Sequence, residues 1–387
     1  MNNSPTEPQG PVFDAAGAPV DLVTSDAGLG EACARWSSAA VIGVDTEFFR
    51  ERTYYPSPAL VQVADADGIV LVDPLGMDDL SPLADVFTAP GIVKVMHACS
   101  EDLEVLELLT GSEPHNVFDS QLAGAFAGHG FSLGYRSLVE TLFGATLDKD
   151  ATRSDWLRRP LSPAQLRYAA LDVAYLLPVH ERLYGALASL GRLDWLGEEF
   201  AHRLNARGND KRPDSAFLKV PGRERLAPRD HAVLRALAEW REREAMRRDI
   251  PRRYVLPDAA LVDIAASRPA SGDALASLDS VSPRAAKRYA KAVFDCISTA
   301  SENPPGDADM PVDLQPHAGT IKRLKRTVKN QAMVLDLPPE LLAHRRALEA
   351  LLRGVLAGGE ANVPPEFRGW RSEVITHALL ETIRESP

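Results

Sequence analysis

Between positions 41 and 96 the chain carries four short apolar runs, at 41–48, 59–64, 69–72 and 92–96, rich in β-branched residues. Runs of this length and branching predict strands. Apolar positions recurring every three or four residues near 79–88, 101–110, 119–127, 132–143 and 163–190 predict helices. Strands first and strand-helix alternation afterwards predict one mixed α/β layer domain over residues 21–205. Beyond it no good strand run occurs. A helix is expected over 229–248, with Val233, Leu237 and Trp240 as its apolar stripe, and helical patterns resume near 320 and run almost to the end. Residues 1–20, rich in Pro, Gly and Ala, are expected to be a flexible extension. The charged, turn-forming stretch 206–222 reads as a linker, and 301–309 as a second one, so helical domains are expected over 223–302 and 303–387. The segments Ala245-Met-Arg-Arg-Asp-Ile-Pro251 and Ala332-Met-Val-Leu-Asp-Leu-Pro338 share the pattern A-M-x-x-D-[IL]-P. Two copies of one small helical module would explain the echo.

Composition narrows the class without choosing a function. Of 387 residues, 45% are hydrophobic and 25% charged, and no apolar stretch approaches a membrane helix, so a soluble globular protein is expected. The N-terminus has no apolar core of a secretion signal, which points to the cytoplasm. Cys33, Cys99 and Cys296 are scattered and read as reduced fillers. Charge is divided: residues 1–200 hold 29 acids against 12 bases, net −17, whereas 201–300 hold 13 against 20, net +7. An acidic half is either a solvated surface or one whose carboxylates gather metal ions beside a basic neighbour that attracts a polyanion.

Four acids and a tyrosine are the candidates for chemistry. Asp45 and Glu47 lie at i and i+2 of a strand, so both side chains share a face while Thr46 points away. Paired carboxylates on an apolar strand repel one another unless a cation compensates, and hard oxygen ligands suit Mg²⁺ or Mn²⁺; the alternative is a strand end emerging into water. Tyr168 and Asp172 stand at i and i+4 of an apolar helix, as a catalytic pair or a structural tie. Asp102 falls in the first turn of a helix, where the helix dipole favours an acid, with Ser100 as the expected cap. Asp119 reads as a helix cap, and His97 as a strand-end side chain or a substrate contact.

The order Asp-x-Glu, a later Asp on a helix start, then Tyr-x-x-x-Asp is similar to the DEDD superfamily of 3′-to-5′ exonucleases, in its tyrosine subtype. Closer still, the chain resembles the bacterial ribonuclease D family. The likeness is carried by Val44-Asp-Thr-Glu-Phe48, Arg52-Thr-Tyr-Tyr-Pro56, Asp73-Pro-Leu-Gly76, His97-Ala-Cys-Ser-Glu-Asp-Leu-Glu-Val105, Thr146-Leu-Asp-Lys149, Ser154-Asp-Trp156, Arg159-Pro-Leu161 and Tyr168-Ala-Ala-Leu-Asp172. Leu237-Ala-Glu-Trp-Arg241 resembles the start of an HRDC domain, and the tail, with His344-Arg-Arg346 and Gly369-Trp-Arg371, a second such domain. The resemblance implies a ribonuclease H-like mixed sheet followed by two all-α HRDC-type domains. It implies that Asp45, Glu47, Asp102 and Asp172 hold two divalent metal ions, Mg²⁺ or Mn²⁺, and that Tyr168 positions the attacking water. Thr46, Phe48 and His97, beside these acids in sequence, are expected to contact substrate. The implied activity is a cytoplasmic, monomeric exoribonuclease that releases 5′-mononucleotides from RNA, tRNA precursors among them. A DNA-directed exonuclease and a nucleic-acid-binding module with an inactive site remain as alternatives.

Overall fold

The computed structural model describes residues 12–13, 19–147, 154–302 and 314–386. The rest of the expected N-terminal extension, Asp148 and Lys149 of one motif, and most of the expected second linker lie outside the described residues. The chain forms two compact units. One comprises the chain up to Phe49, Pro56–Gly197 and Val334–Leu341; the other comprises Arg50–Tyr55, Glu198–Met333 and Leu342–Pro387.

The first unit is built on a seven-stranded mixed sheet. Its strands are β1 Val12–Phe13, β2 Pro19–Val23, β3 Val41–Phe49, β4 Ser57–Ala64, β5 Ile69–Val72, β6 Val93–Met96 and β7 Val117–Asp119, in spatial order β1-β2-β5-β4-β3-β6-β7. β3, β4 and β5 pair antiparallel, while β6 runs parallel to β3 and β7 parallel to β6. The four expected strands are all present. The short strands β1 and β2 fall largely within the stretch expected to be a flexible extension, and β2 adds in parallel to β5. Pro19, at the first position of β2, where a proline is tolerated, pairs with Phe13 of β1, and pairing with β5 begins at Val20.

Among the described residues seven α-helices accompany the sheet: α1 Asp26–Trp36, α2 Ser81–Thr88, α3 Asp102–Thr110, α4 Ser120–Phe126, α5 Tyr135–Phe143, α6 Pro163–Ala174 and α7 Leu176–Leu190. The single helix expected over 163–190 is broken at Tyr175. Pro178 is the reason: it has no N–H to donate and fits only a first turn, so the chain restarts as α7 with that proline near its beginning. α6 begins with a capping box, in which Ser162 and Gln165 exchange hydrogen bonds, followed by Pro163. Cys33 and Cys99 are buried and Cys296 half-buried; all three are free thiols, and burial pushes Cys33 up to about 12.

The second unit is helical. α8 Leu193–Asp210 runs into the stretch expected as a linker, which also holds a 3₁₀ turn at Pro213–Lys219. The turn-forming residues there terminate one helix and start the next without leaving an extended spacer. The helices α9 His231–Arg248, α10 Arg252–Val255, α11 Asp258–Ser267, α12 Gly272–Ala276 and α13 Pro283–Glu302 follow. They bury Val233, Leu234, Leu237, Leu261, Ile264 and Val293 in one core. α14 Ala318–Leu335, α15 Pro339–Leu342, α16 Arg345–Gly358 and α17 His377–Arg384 complete the chain, Val334–Leu341 at the end of α14 and in α15 belonging to the first unit. Leu324 and Val328 of α14, Leu348 and Leu351 of α16 and Leu379 of α17 are buried, and Thr327 and Thr382 hydrogen-bond at 3.0 Å.

The echoed heptapeptide has one structural meaning in both places. Asp249 closes α9 at φ 47° and Asp336 follows α14 at φ 50°, each in the left-handed conformation that Asp tolerates better than most residues. A proline two positions later prevents the helix from resuming. Among the described residues no helix is long and apolar enough to cross a membrane.

Candidate active site

Strand β3 separates its residues by parity. Ile42, Val44 and Thr46 go to one face, the first two fully buried; Gly43, Asp45 and Glu47 go to the other. Gly43 is what lets a helix approach that second face. A Cβ there would lie 2.9 Å from Leu176 Cβ, inside contact distance, so the α6–α7 junction can sit against β3 only above a glycine. Asp172, one turn before the junction, is thereby brought to the paired acids. One carboxylate oxygen from each of Asp45, Glu47 and Asp172 lies within 4.8 Å of the other two.

The acid pair ends at an irregularity. Glu47 pairs with Leu60, but the next pair is Phe48 with Pro58, so Ala59 has no partner across the strand. Such a bulge re-aims the side chains beside it. The freed Ala59 carbonyl accepts from Arg159 Nη2 at 2.7 Å. Arg159 forks onto Asp73, with Nη2 to Oδ1 at 2.8 Å, and donates from Nη1 to the Trp156 carbonyl at 2.6 Å. Two of the motifs shared with the exonuclease family, Asp73-Pro-Leu and Arg159-Pro-Leu, are therefore bonded to each other. They hold Trp156 5.9 Å, ring to ring, from Tyr168.

Asp102 reaches the site from α3. Ala98 turns the chain out of β6 at φ 57°, and its N–H donates to Asp119 Oδ1 at 3.2 Å. The same Asp119 oxygen accepts from the N–H groups of Gln121 and Leu122, so its reading as a cap of α4 holds. Ser100 makes no cap: Glu101 precedes the helix without a side-chain bond, because the Cys99 carbonyl already accepts from Leu103 and starts the helical ladder. Asp102 lies outside the three-carboxylate group but acts on it by charge. Thr46, on the opposite face of β3 from Asp45, donates its hydroxyl to Asp102 Oδ1 at 2.6 Å and so orients it.

Electrostatics identify the cluster as incomplete. Burial first, then the charges of Asp102, Asp172 and Glu47, push Asp45 well above the carboxylate range. Burial and the charges of Asp172 and Asp102 bring Glu47 up to about 8. Burial lifts Asp102 to about 6 against the hydrogen bond from Thr46, and Asp172 to about 6 against the pull of Arg136 and a hydrogen bond from Tyr168. Acids raised this way are under-compensated by the positive charge around them. Directly across the sheet from Asp45 stands Gln62, fully buried, whose amide oxygen and nitrogen find no hydrogen-bond partner among the described residues. Orphaned polar atoms beside repelling carboxylates fit a hydrated, hard divalent cation, and this donor set suits divalent metal use.

The substrate candidates fare differently from one another. Thr46 is buried and committed to Asp102. Phe48 is half-buried at the end of the acid strand. His97 has both ring nitrogens engaged, Nδ1 with Ser120 Oγ at 2.9 Å and Nε2 donating to the Leu133 carbonyl at 3.0 Å, so it ties β6 to the loop before α5. Burial lowers its pKa, consistent with a neutral strut. Gly43, Gln62, Tyr135 and Arg136 were not among the expected site residues. A glycine inside a β-branched run was a legible sign of close approach; nothing in the local pattern marked the other three.

A mixed sheet in which an interior strand presents two acids, with an acid on each of two helices and a tyrosine one turn from the last, is the arrangement of a 3′-5′ exonuclease. Residues 20–188 match the 3′-5′ exonuclease family, residues 230–297 the HRDC domain, and residues 317–379 the C-terminal HRDC domain of ribonuclease D. The chain is 37% identical to ribonuclease D of Pseudomonas paraeruginosa over 370 residues, covering 95% of this chain and 98% of that one. With the Escherichia coli ribonuclease D sequence it shares 34% identity, covering 95% and 99%. The crystal structure of the E. coli protein, described as an exoribonuclease involved in structured RNA processing, superimposes with a TM-score of 0.86, again over 95% and 99% of the two chains. The chain belongs to the ribonuclease D family, and it is a 3′-to-5′ exoribonuclease.

Proposed function

We propose that this exonuclease hydrolyses RNA from its 3′ end with two divalent ions, Mg²⁺ or Mn²⁺, and releases 5′-mononucleotides. Asp45, Glu47, Asp102 and Asp172 would hold the ions. Four carboxylates bring about −4, which two divalent cations offset, so the loaded site can accept a phosphodiester that the bare acids repel. When bound, such a pair of ions supplies a water of lowered pKa and a positive charge facing the leaving 3′ oxygen. The observation that carries this reading is the convergence of Asp45, Glu47 and Asp172 within 4.8 Å.

Tyr168 is assigned the orientation of the attacking water. Burial and the charges of Asp172 and Glu47 raise its phenol above the ordinary value, so it remains protonated at neutral pH and works as a hydrogen-bonding group rather than a base. Thr46 positions Asp102, and the half-buried ring of Phe48 offers a face to the terminal base. Structured RNAs are the proposed substrates, by analogy with the E. coli relative, and transfer RNA precursors with 3′ tails are proposed among them. The basic stretch 201–300, net +7, is proposed to grip the RNA backbone without reading sequence, in a monomer working in the cytoplasm.

The test is a 5′-labelled RNA with a single-stranded 3′ extension, incubated with Mg²⁺ or Mn²⁺, beside an Asp172→Ala control and a matched DNA. A ladder shortening from the 3′ end, absent in the control and without metal, is the expected result. Faster loss of the DNA would move the assignment to a DNA-directed enzyme; no nucleotide release under either metal would leave a binding protein.

A further inference from the structure

Arg136 lies in the first turn of α5, and its guanidinium carbon stands 5.2 Å from the centre of the Tyr168 ring. Its place is fixed by its neighbour. The Tyr135 hydroxyl accepts the N–H of Tyr175 at the α6–α7 break at 2.9 Å, and the Tyr135 ring lies 5.6 Å from that of His97, tilted by 59°. The first turn of α5 is thus tied to the helix that carries Tyr168 and Asp172. Arg159, in the same unit, is saturated by Asp73, Ala59 and Trp156. Arg136 has no ion pair and no hydrogen-bonded acceptor among the described residues, although Asp172 lies near enough to feel its charge. A half-buried guanidinium resting on a phenol face keeps its N–H edge free, and that edge matches the oxygens of a phosphate. It does so inside a half of the chain with net charge −17, at the position where a polyanion must arrive.

We propose that Arg136 is a substrate-binding residue that takes a phosphate oxygen of the 3′-terminal nucleotide from its seat over the Tyr168 ring. The assignment rests on the exonuclease reading above. In that reading it supplies a charge-assisted contact that water cannot replace, complementary to what the carboxylates hold.

Arg136→Gln and Arg136→Lys are compared with the unaltered chain on 5′-labelled RNA with Mg²⁺, together with inhibition by adenosine 5′-monophosphate and by adenosine. Arg136→Gln is expected to lower kcat/KM by about 10- to 100-fold and to weaken inhibition by the monophosphate by about tenfold. Inhibition by adenosine, the half-activating Mg²⁺ concentration and Tm should be unchanged, and Arg136→Lys should recover most of the loss. Unaltered monophosphate inhibition in Arg136→Gln overturns the proposal. So does equal loss in both variants with a lowered Tm, which makes the residue structural, or a shifted metal requirement alone, which makes it part of the ion site. If the unaltered chain releases no nucleotides, the exonuclease reading itself fails, and that lane reports it separately.

Discussion

In the exonuclease unit Asp45, Glu47 and Asp172 converge with Asp102 nearby, and burial, reinforced by the charges of other acids, raises all four carboxyl groups. In the helical unit Glu199 and Glu242 are buried as well, with the opposite result. Arg371 Nη1 donates to Glu199 Oε2 at 2.6 Å and Arg203 Nε to Oε1 at 3.0 Å. Arg252 forks onto Glu242 through Nε and Nη2, and the Tyr54 hydroxyl adds a third donor. Burial acts to raise both glutamates, but the arginine charges and hydrogen bonds outweigh it and hold both below the usual carboxylate value. An acid whose desolvation is answered inside the protein is part of the scaffold. One whose desolvation is left unanswered is waiting for a ligand, and the difference separates the two uses of one residue type.

The comparison breaks most visibly where a ligand acid is removed. Asp172→Asn is expected to reduce nucleotide release by roughly 10³-fold, since metal stabilisation of the transition state is worth several kcal/mol. Its melting temperature in a chelator should stay level or rise, because one repelling charge is gone; a large fall in Tm would class Asp172 with the scaffold acids. Arg371→Ala should do the reverse. Stranding Glu199 without its partner should cost about 3–5 kcal/mol in denaturant unfolding, while the exonuclease unit keeps its hydrogen-exchange protection. Tyr168→Phe is expected to lower kcat by about 10²-fold and leave the half-activating metal concentration where it was. A shifted metal requirement would mean that the phenol belongs to the ion site rather than to the water. Gly43→Ala should cost about 1–3 kcal/mol by forcing the α6–α7 junction away from β3, and should reduce activity through Asp172 without touching any ligand.

Much of this was legible because the pattern was local. The run 69–72 coincides with β5, and the expected strands at 41–48, 59–64 and 92–96 meet β3, β4 and β6 to within a residue or two at most ends. Alternation also places Asp45 and Glu47 on one face, and helical spacing stacks Tyr168 on Asp172. What was hidden depended on distant partners. β7 is three residues long and earns its place only by pairing beside β6, so no periodicity could announce it. Helix α1 carries a weak sequence signal because its large apolar positions, Leu29, Cys33 and Trp36, are few and lie among Gly, Ala and charged residues. The first-turn position of Asp102 explained an acid there but not what it faces; Thr46, from the opposite face of β3, settles its orientation. The tie from Tyr135 to Tyr175, across 40 residues, and the seat of Arg136 exist only once the α6–α7 break is formed.

The smallest effect separates the units most sharply, because their acids titrate in opposite senses. In the exonuclease unit the folded state holds protons that the unfolded chain releases near pH 4: Asp102 and Asp172 keep theirs to about 6 and Glu47 to about 8. Their contribution to metal-free stability is therefore fully present below pH 4 and is lost as pH rises through 6 to 8. Glu199 and Glu242, held below the usual value, contribute fully above the unfolded value near 4.3 and lose that contribution as pH falls beneath it. Hydrogen exchange in a chelator, read separately over Pro56–Gly197 and Glu198–Met333, should then show the first unit losing protection from pH 5.5 to 8.5 while the second stays level. Each kcal/mol corresponds to about 2–4 °C in Tm for a unit of this size, so the change is measurable by melting as well. Saturating Mg²⁺ should flatten the slope of the first unit, since a bound cation supplies the counter-charge that protons otherwise provide. A first unit that gains protection with rising pH in the chelator would mean that its carboxylates are already compensated within the protein, and the distinction between scaffold acid and ligand acid would not hold for this chain.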